Sequence, residues 1–121
     1  SVEKTLEELP INCEELAELY GLSDLKRLIS SFSVECEELM SSIRQAVASN
    51  NELEIIRLAH QLKGLAVVMT AGSLSRAALA LETSAKRGEV AQLAGLTDAL
   101  EQELTAVLGY IESRKSSPIF S

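Results

Sequence analysis

The stretch Asn51–Thr70 carries two helical stripes at once, and this constrains the chain more than any other feature. Ile55, Leu58, Ala59, Leu62, Leu65, Ala66 and Met69 recur at steps of three and four, the pattern of a buried helix face. Asn51 followed by Glu54 has the capping-box spacing and marks the start. The only histidine, His60, lies off that stripe, on a second face with Ile56, Lys63, Gly64 and Val67. An ordinary solvated face would carry Glu, Lys, Gln and Arg. This one carries an imidazole, a cation one turn later, a glycine and two β-branched apolar residues.

Glycine inside a helix costs about 0.5–1 kcal/mol relative to alanine. At four residues from His60, Gly64 removes a side chain that would crowd the ring. Lys63, at three residues, brings an ammonium to whatever the ring carries. A free imidazole titrates near ~6.5, so its neutral form has a nucleophilic nitrogen at neutral pH. An accessible imidazole beside a cation suits acceptance of a phosphoryl group, whose oxygens the lysine would neutralise.

The other segments repeat the helical period. Asn12 with Glu15 opens a short helix to Tyr20, which Gly21 can end. Ser23 is the expected cap of a helix over about 24–48, with Leu25, Leu28, Ile29, Phe32, Cys36, Leu39, Ile43, Ala46 and Val47 inward. After Thr70, Gly72 is the expected stop and Ser73 the expected cap of a helix over about 74–87. The last helix spans about 90–114, with a stripe from Leu93 to Ile111. Apolar residues make up 46% but aromatics only 3%, so the core must be aliphatic, which favours helices over a β-sandwich. Short loops favour antiparallel neighbours. The expected fold is all-α: an antiparallel up-down-up-down four-helix bundle with a short N-terminal extra helix. Residues 1–11 read as a linker stub, 12–114 as the domain and 115–121 as a frayed tail.

A net charge of −7 argues against nucleic acid or an anionic membrane as partner. The longest apolar run, Leu65–Met69, is too short to span a bilayer, and the start has no signal-peptide pattern. Cys13 and Cys36 sit at apolar positions and read as buried free thiols; with one histidine they make no zinc set.

Short loops also place the site. Counting back from the end of the central helix puts His60 level with about residues 82–86 of the next one. Glu82 there can accept from one ring N–H, fixing the tautomer and leaving the other nitrogen as nucleophile. It can equally pair with Lys86 four residues on. Lys86 and Arg87 can reach phosphate oxygens or simply offset the helix dipole. Ile56, Val67 and Val68 flank His60 as an apolar docking face, and Met40 falls near the same level, either on that face or in the core.

Ala59-His60-Gln61-Leu62-Lys63-Gly64 resembles the His-x-x-Lys-Gly signature of histidine phosphotransfer (HPt) domains. The resemblance continues through Ala71, Leu81-Glu82 and Ala85-Lys86-Arg87-Gly88-Glu89, and covers about residues 15–112 in helix order. Family members often have small residues at Val67 and glycine at Thr70. The resemblance implies that His60 takes a phosphoryl group from the aspartyl phosphate of a receiver domain and passes it to a response-regulator aspartate. It implies no cofactor on this chain, with Mg2+ only on the partner receiver, and a cytoplasmic setting, free or tethered to an inner-membrane sensor kinase. No glycine-rich phosphate loop or kinase motif set is present, so the expected molecule is a phosphoryl carrier without ATP-dependent kinase activity of its own. The C-terminal domain of a hybrid sensor kinase and a free-standing protein both fit, and a monomer is expected. The competing readings are a helical-bundle interaction module without chemistry and the dimerisation domain of a histidine kinase.

Overall fold

The structure, a computed structural model, describes residues 9–115. They form α1 (Cys13–Tyr20), α2 (Leu22–Ala48), α3 (Glu52–Val68), α4 (Gly72–Lys86) and α5 (Val90–Arg114), with no strand among the described residues. The expected tail, apart from Lys115, and residues 1–8 of the expected stub lie outside the described residues. α2 packs on α3, α3 on α4 and α4 on α5, while α5 returns to α2; α1 lies against α2. The stripes read from the sequence meet in one aliphatic core that includes Ile29, Ile43, Ile55, Leu62, Leu81, Leu100 and Val107. Leu28, Val47, Leu65, Leu96 and Leu108 are only partly buried and pack on its edge. Ile11, which the sequence reading assigned to the linker stub, is fully buried, so packing begins ahead of the expected boundary.

The helix junctions are short because three of them close in the same way. Asn50, Thr70 and Gly88 adopt φ of 54°, 56° and 67°. In each case the next residue's N–H reaches back to the carbonyl five residues before it: Asn51 to Ala46 (2.9 Å), Ala71 to Ala66 (2.8 Å) and Glu89 to Ser84 (3.0 Å). The left-handed residue's own N–H bonds Val47, Val67 and Ala85 respectively, which completes a Schellman closure.

Two expected caps need correction. The left-handed residue after α3 is Thr70 and not Gly72; Gly72 is already the first residue of α4, and Ala71 is its cap. The reason is that Ala71 is consumed in closing α3, and its carbonyl then accepts from Ser75 at 2.9 Å to open α4. Ser23 likewise lies inside α2 and caps nothing. Gly21, at φ 79°, does both jobs: its N–H closes α1 on Ala17 and its carbonyl receives Leu25 N–H. Asn12 and Asn51 do cap α1 and α3, accepting from Glu15 and Glu54. Met40 is also corrected: at 4% exposure it belongs to the core. Its unbranched side chain packs between α2 and α5, where it also lines a groove that does not include His60.

Candidate functional site

The α3–α4 pairing brings the second face of α3 against one buried carboxylate. Glu82 is 4% exposed, while the His60 ring is 66% exposed. His60 Nδ1 lies 3.1 Å from Glu82 Oε2. Lys63 Nζ donates to Oε1 at 3.1 Å, and Lys86 Nζ lies 3.0 Å from Oε2. Both of the uses of Glu82 weighed from sequence therefore coexist, and a third donor, Lys63, joins them.

This arrangement sets the charge of the carboxyl group. Burial pushes its pKa up, but hydrogen bonds from Lys86, Lys63 and His60 and the Lys63 charge outweigh that and hold it at about 2. Glu82 is then a carboxylate, which can only accept. The proton on Nδ1 follows from this partner, and the lone pair is left on Nε2 in a ring open to solvent. A nucleophilic nitrogen, an oriented ring and two nearby ammonium groups suit the acceptance of a phosphoryl group.

Gly64 lies one turn beyond His60, and a Cβ built on it meets nothing within 4 Å. Its glycine therefore neither relieves crowding at the ring nor admits a neighbouring helix; the space it opens faces outward. Arg87 is the C-cap of α4, its backbone N–H bonds Thr83, and its exposed guanidinium pairs with no described side chain. Ile56 packs partly on the core, while Val67 and Val68 stand in solvent at 63% and 52% exposure. Met40 does not join them.

Two residues of this face were missed from the sequence. Leu53, seven residues before His60 and so on the same side of α3, is 82% exposed. Leu79, three before Glu82 on α4, is also exposed. Extending the 56–60–63–67 stripe back one step would have found Leu53. Leu79 needs the α3–α4 register and has no signal of its own.

No group of metal-binding side chains occurs among the described residues. A groove of about 500 Å³ between α2 and α5, lined by Met40, Arg44, Glu101 and Leu104 among others, does not include His60. Cys13 and Cys36 are buried free thiols, and burial first, then Glu35 and Glu37, push Cys36 up to about 12. No helix of the described residues is long and apolar enough to cross a membrane.

Residues 27–110 match the family model of the Hpt domain. No curated protein matches the sequence significantly. The fold is similar to the crystal structure of histidine-containing phosphotransfer protein B (HptB) from Pseudomonas aeruginosa PAO1. The TM-score is 0.79 at 24% identity, over 88% of this chain and 95% of that one.

Proposed function

The chain belongs to the Hpt domain family, and from that premise we propose that His60 is the residue through which it carries a phosphoryl group. Histidine phosphotransfer in a phosphorelay is the activity of the family and so of this chain. The observation that carries the assignment to His60 is its contact with Glu82, which favours the neutral tautomer with hydrogen on Nδ1 and so presents Nε2 as the nucleophile of an exposed ring.

In this reading Nε2 attacks the aspartyl phosphate of a receiver domain, and a response-regulator aspartate later removes the group. Lys63, with Lys86 and Arg87 beyond it, neutralises the phosphoryl oxygens. Glu82 holds the ring. Gly64 lets the receiver backbone approach. Leu53, Ile56, Val67, Val68 and Leu79 form the apolar ground on which the receiver sits. A protein reaching Nε2 with a footprint of roughly 800 Å² must cover residues about 10 Å along the helix on either side, where Leu53 and Val67 lie. The divalent metal and acid pocket belong to the receiver, and this chain supplies no cofactor.

The four long helices are proposed to run up-down-up-down, each antiparallel to the next, because each three-residue connection leaves length only for a reversal. The domain works as a monomer in the cytoplasm, with the receivers of a hybrid sensor kinase and of a response regulator as its partners. Incubation with a panel of phosphorylated receivers, with His60→Gln alongside, tests this. Label on the wild type that is lost in acid and survives base, and is missing from the variant, is the expected result. No label from any receiver on a folded wild type would leave a bundle that only binds.

A further inference from the structure

The chain is acidic, but its acids avoid the two helices that meet at His60. Residues 52–87, from the start of α3 to the C-cap of α4, hold five basic and three acidic residues, a net of +2 in a chain of −7, so the remainder carries −9. α4 has one acid, Glu82, and that side chain is buried. The solvent side of α4 is therefore neutral or cationic from end to end.

Most of the cations here are already matched. Arg57 pairs with Glu54, and Lys63 and Lys86 share Glu82. Arg76 is different: it is exposed and has no carboxylate partner among the described residues. Its side chain is nevertheless held. Nη2 donates to Ser73 Oγ at 3.2 Å, and a Cβ at Gly72 would lie 3.2 Å from Nη1, so the missing side chain leaves the guanidinium its seat. The seat lies over the first turn of α4, the positive end of the helix dipole, where a basic group opposes the helix. Nothing in the fold calls for a cation there. A guanidinium whose fork is positioned and unmatched is suited to a carboxylate that arrives from outside.

Its place says which molecule brings that carboxylate. Arg76 lies three residues before Leu79 and six before Glu82, about 9 Å along α4 from the level of His60. It is thus continuous with the apolar ground proposed for the receiver and falls at the rim of a footprint of roughly 800 Å². Resting on the reading of His60 as phosphoacceptor, we infer that Arg76 is a receiver-recognition residue, which takes a carboxylate on the rim of the incoming receiver and turns away receivers with a basic residue there. A charge at the rim acts on the rate of encounter and its salt dependence more than on the bound complex. Like charges brought face to face discriminate against the wrong partner. Arg76 contacts neither His60 nor Glu82, so its part is in the choice of partner and the chemistry of the ring is left alone.

The test uses the receiver that labels His60 fastest in the panel above. At low ionic strength Arg76→Gln should lower kcat/KM for transfer about fivefold and Arg76→Glu should lower it further, and both gaps should close at high ionic strength. Arg76→Lys, which restores the charge, should restore the salt dependence. Loading by phosphoramidate, a small phosphoryl donor that needs no docking face, should be unchanged in all three variants, and thermal stability should not fall. Equal kcat/KM for wild type, Arg76→Gln and Arg76→Glu at low ionic strength overturns the inference and leaves His60 as acceptor. So does a loss that phosphoramidate loading shares, which would place Arg76 in the structure of the site itself. A folded wild type that no receiver labels overturns the reading of His60 and the inference with it.

Discussion

Thr70 Oγ1 accepts the backbone N–H of Asn12 at 3.3 Å, from a residue whose φ is 56°. A β-branched residue in this region is strained, and the contact ties the entry of α1 to the α3–α4 turn. Thr70→Ala keeps the left-handed backbone and loses the bond. Thr70→Gly loses the same bond and relieves the backbone. The glycine variant should therefore be the more stable of the two by about 1–2 kcal/mol, and within about 1 kcal/mol of wild type. Urea denaturation of the three proteins measures both differences.

Gly64→Ala separates folding from transfer. The added methyl meets nothing within 4 Å, so the variant should gain about 0.5–1 kcal/mol in stability. Transfer from a receiver should nevertheless slow, because the methyl stands where the receiver backbone approaches. An alanine variant that is more stable and transfers at the wild-type rate would remove Gly64 from the docking face.

Leu53→Ala should leave thermal stability unchanged, since the side chain is exposed. It should reduce kcat/KM for transfer from the cognate receiver by about tenfold, roughly the value of one buried leucine contact, while loading by phosphoramidate is unaffected. Equal rates with the receiver would place the footprint elsewhere on α3.

Stability should fall with acid through Glu82. Its pKa in the folded chain, about 2, lies below the ordinary 4.5. A depressed carboxylate contributes stability that is fully present above 4.5 and lost as pH falls toward 2. The gap is worth on the order of 3 kcal/mol at most. Glu82→Gln should flatten this part of the stability–pH curve, which denaturant titrations at about pH 5 and pH 2.5 can read.

The helices were legible because every one carries an aliphatic stripe at steps of three and four, and the side-chain caps Asn12 and Asn51 announce themselves. The junction after α3 was not, because sequence favours glycine at a left-handed residue and the chain uses Thr70 there. That choice becomes understandable only with Asn12 in place across the turn. Met40 was left between docking face and core for a related reason: the level of a residue along a helix follows from counting, but its inward or outward direction depends on which neighbours close around α2. The pairing of His60 with Glu82 was legible because a three-residue connection fixes the register of two neighbours. The ion pair from Lys63 to the same carboxylate was not, since a long flexible side chain has several partners within reach.

The three Schellman closures bear on how the chain finds its shape. Each junction is closed by backbone hydrogen bonds within its own few residues, and the α3–α4 turn adds one distant partner, Asn12. Most of the packing is between helices consecutive in sequence, while α5 also returns to α2 and its Arg114 pairs with Glu14 of α1. The search for the native arrangement is therefore mostly a series of short loop closures, to which the long-range contacts of α5 with α2 and α1 are added. Such a chain should refold on the microsecond-to-millisecond scale of helical domains, which stopped-flow refolding measures.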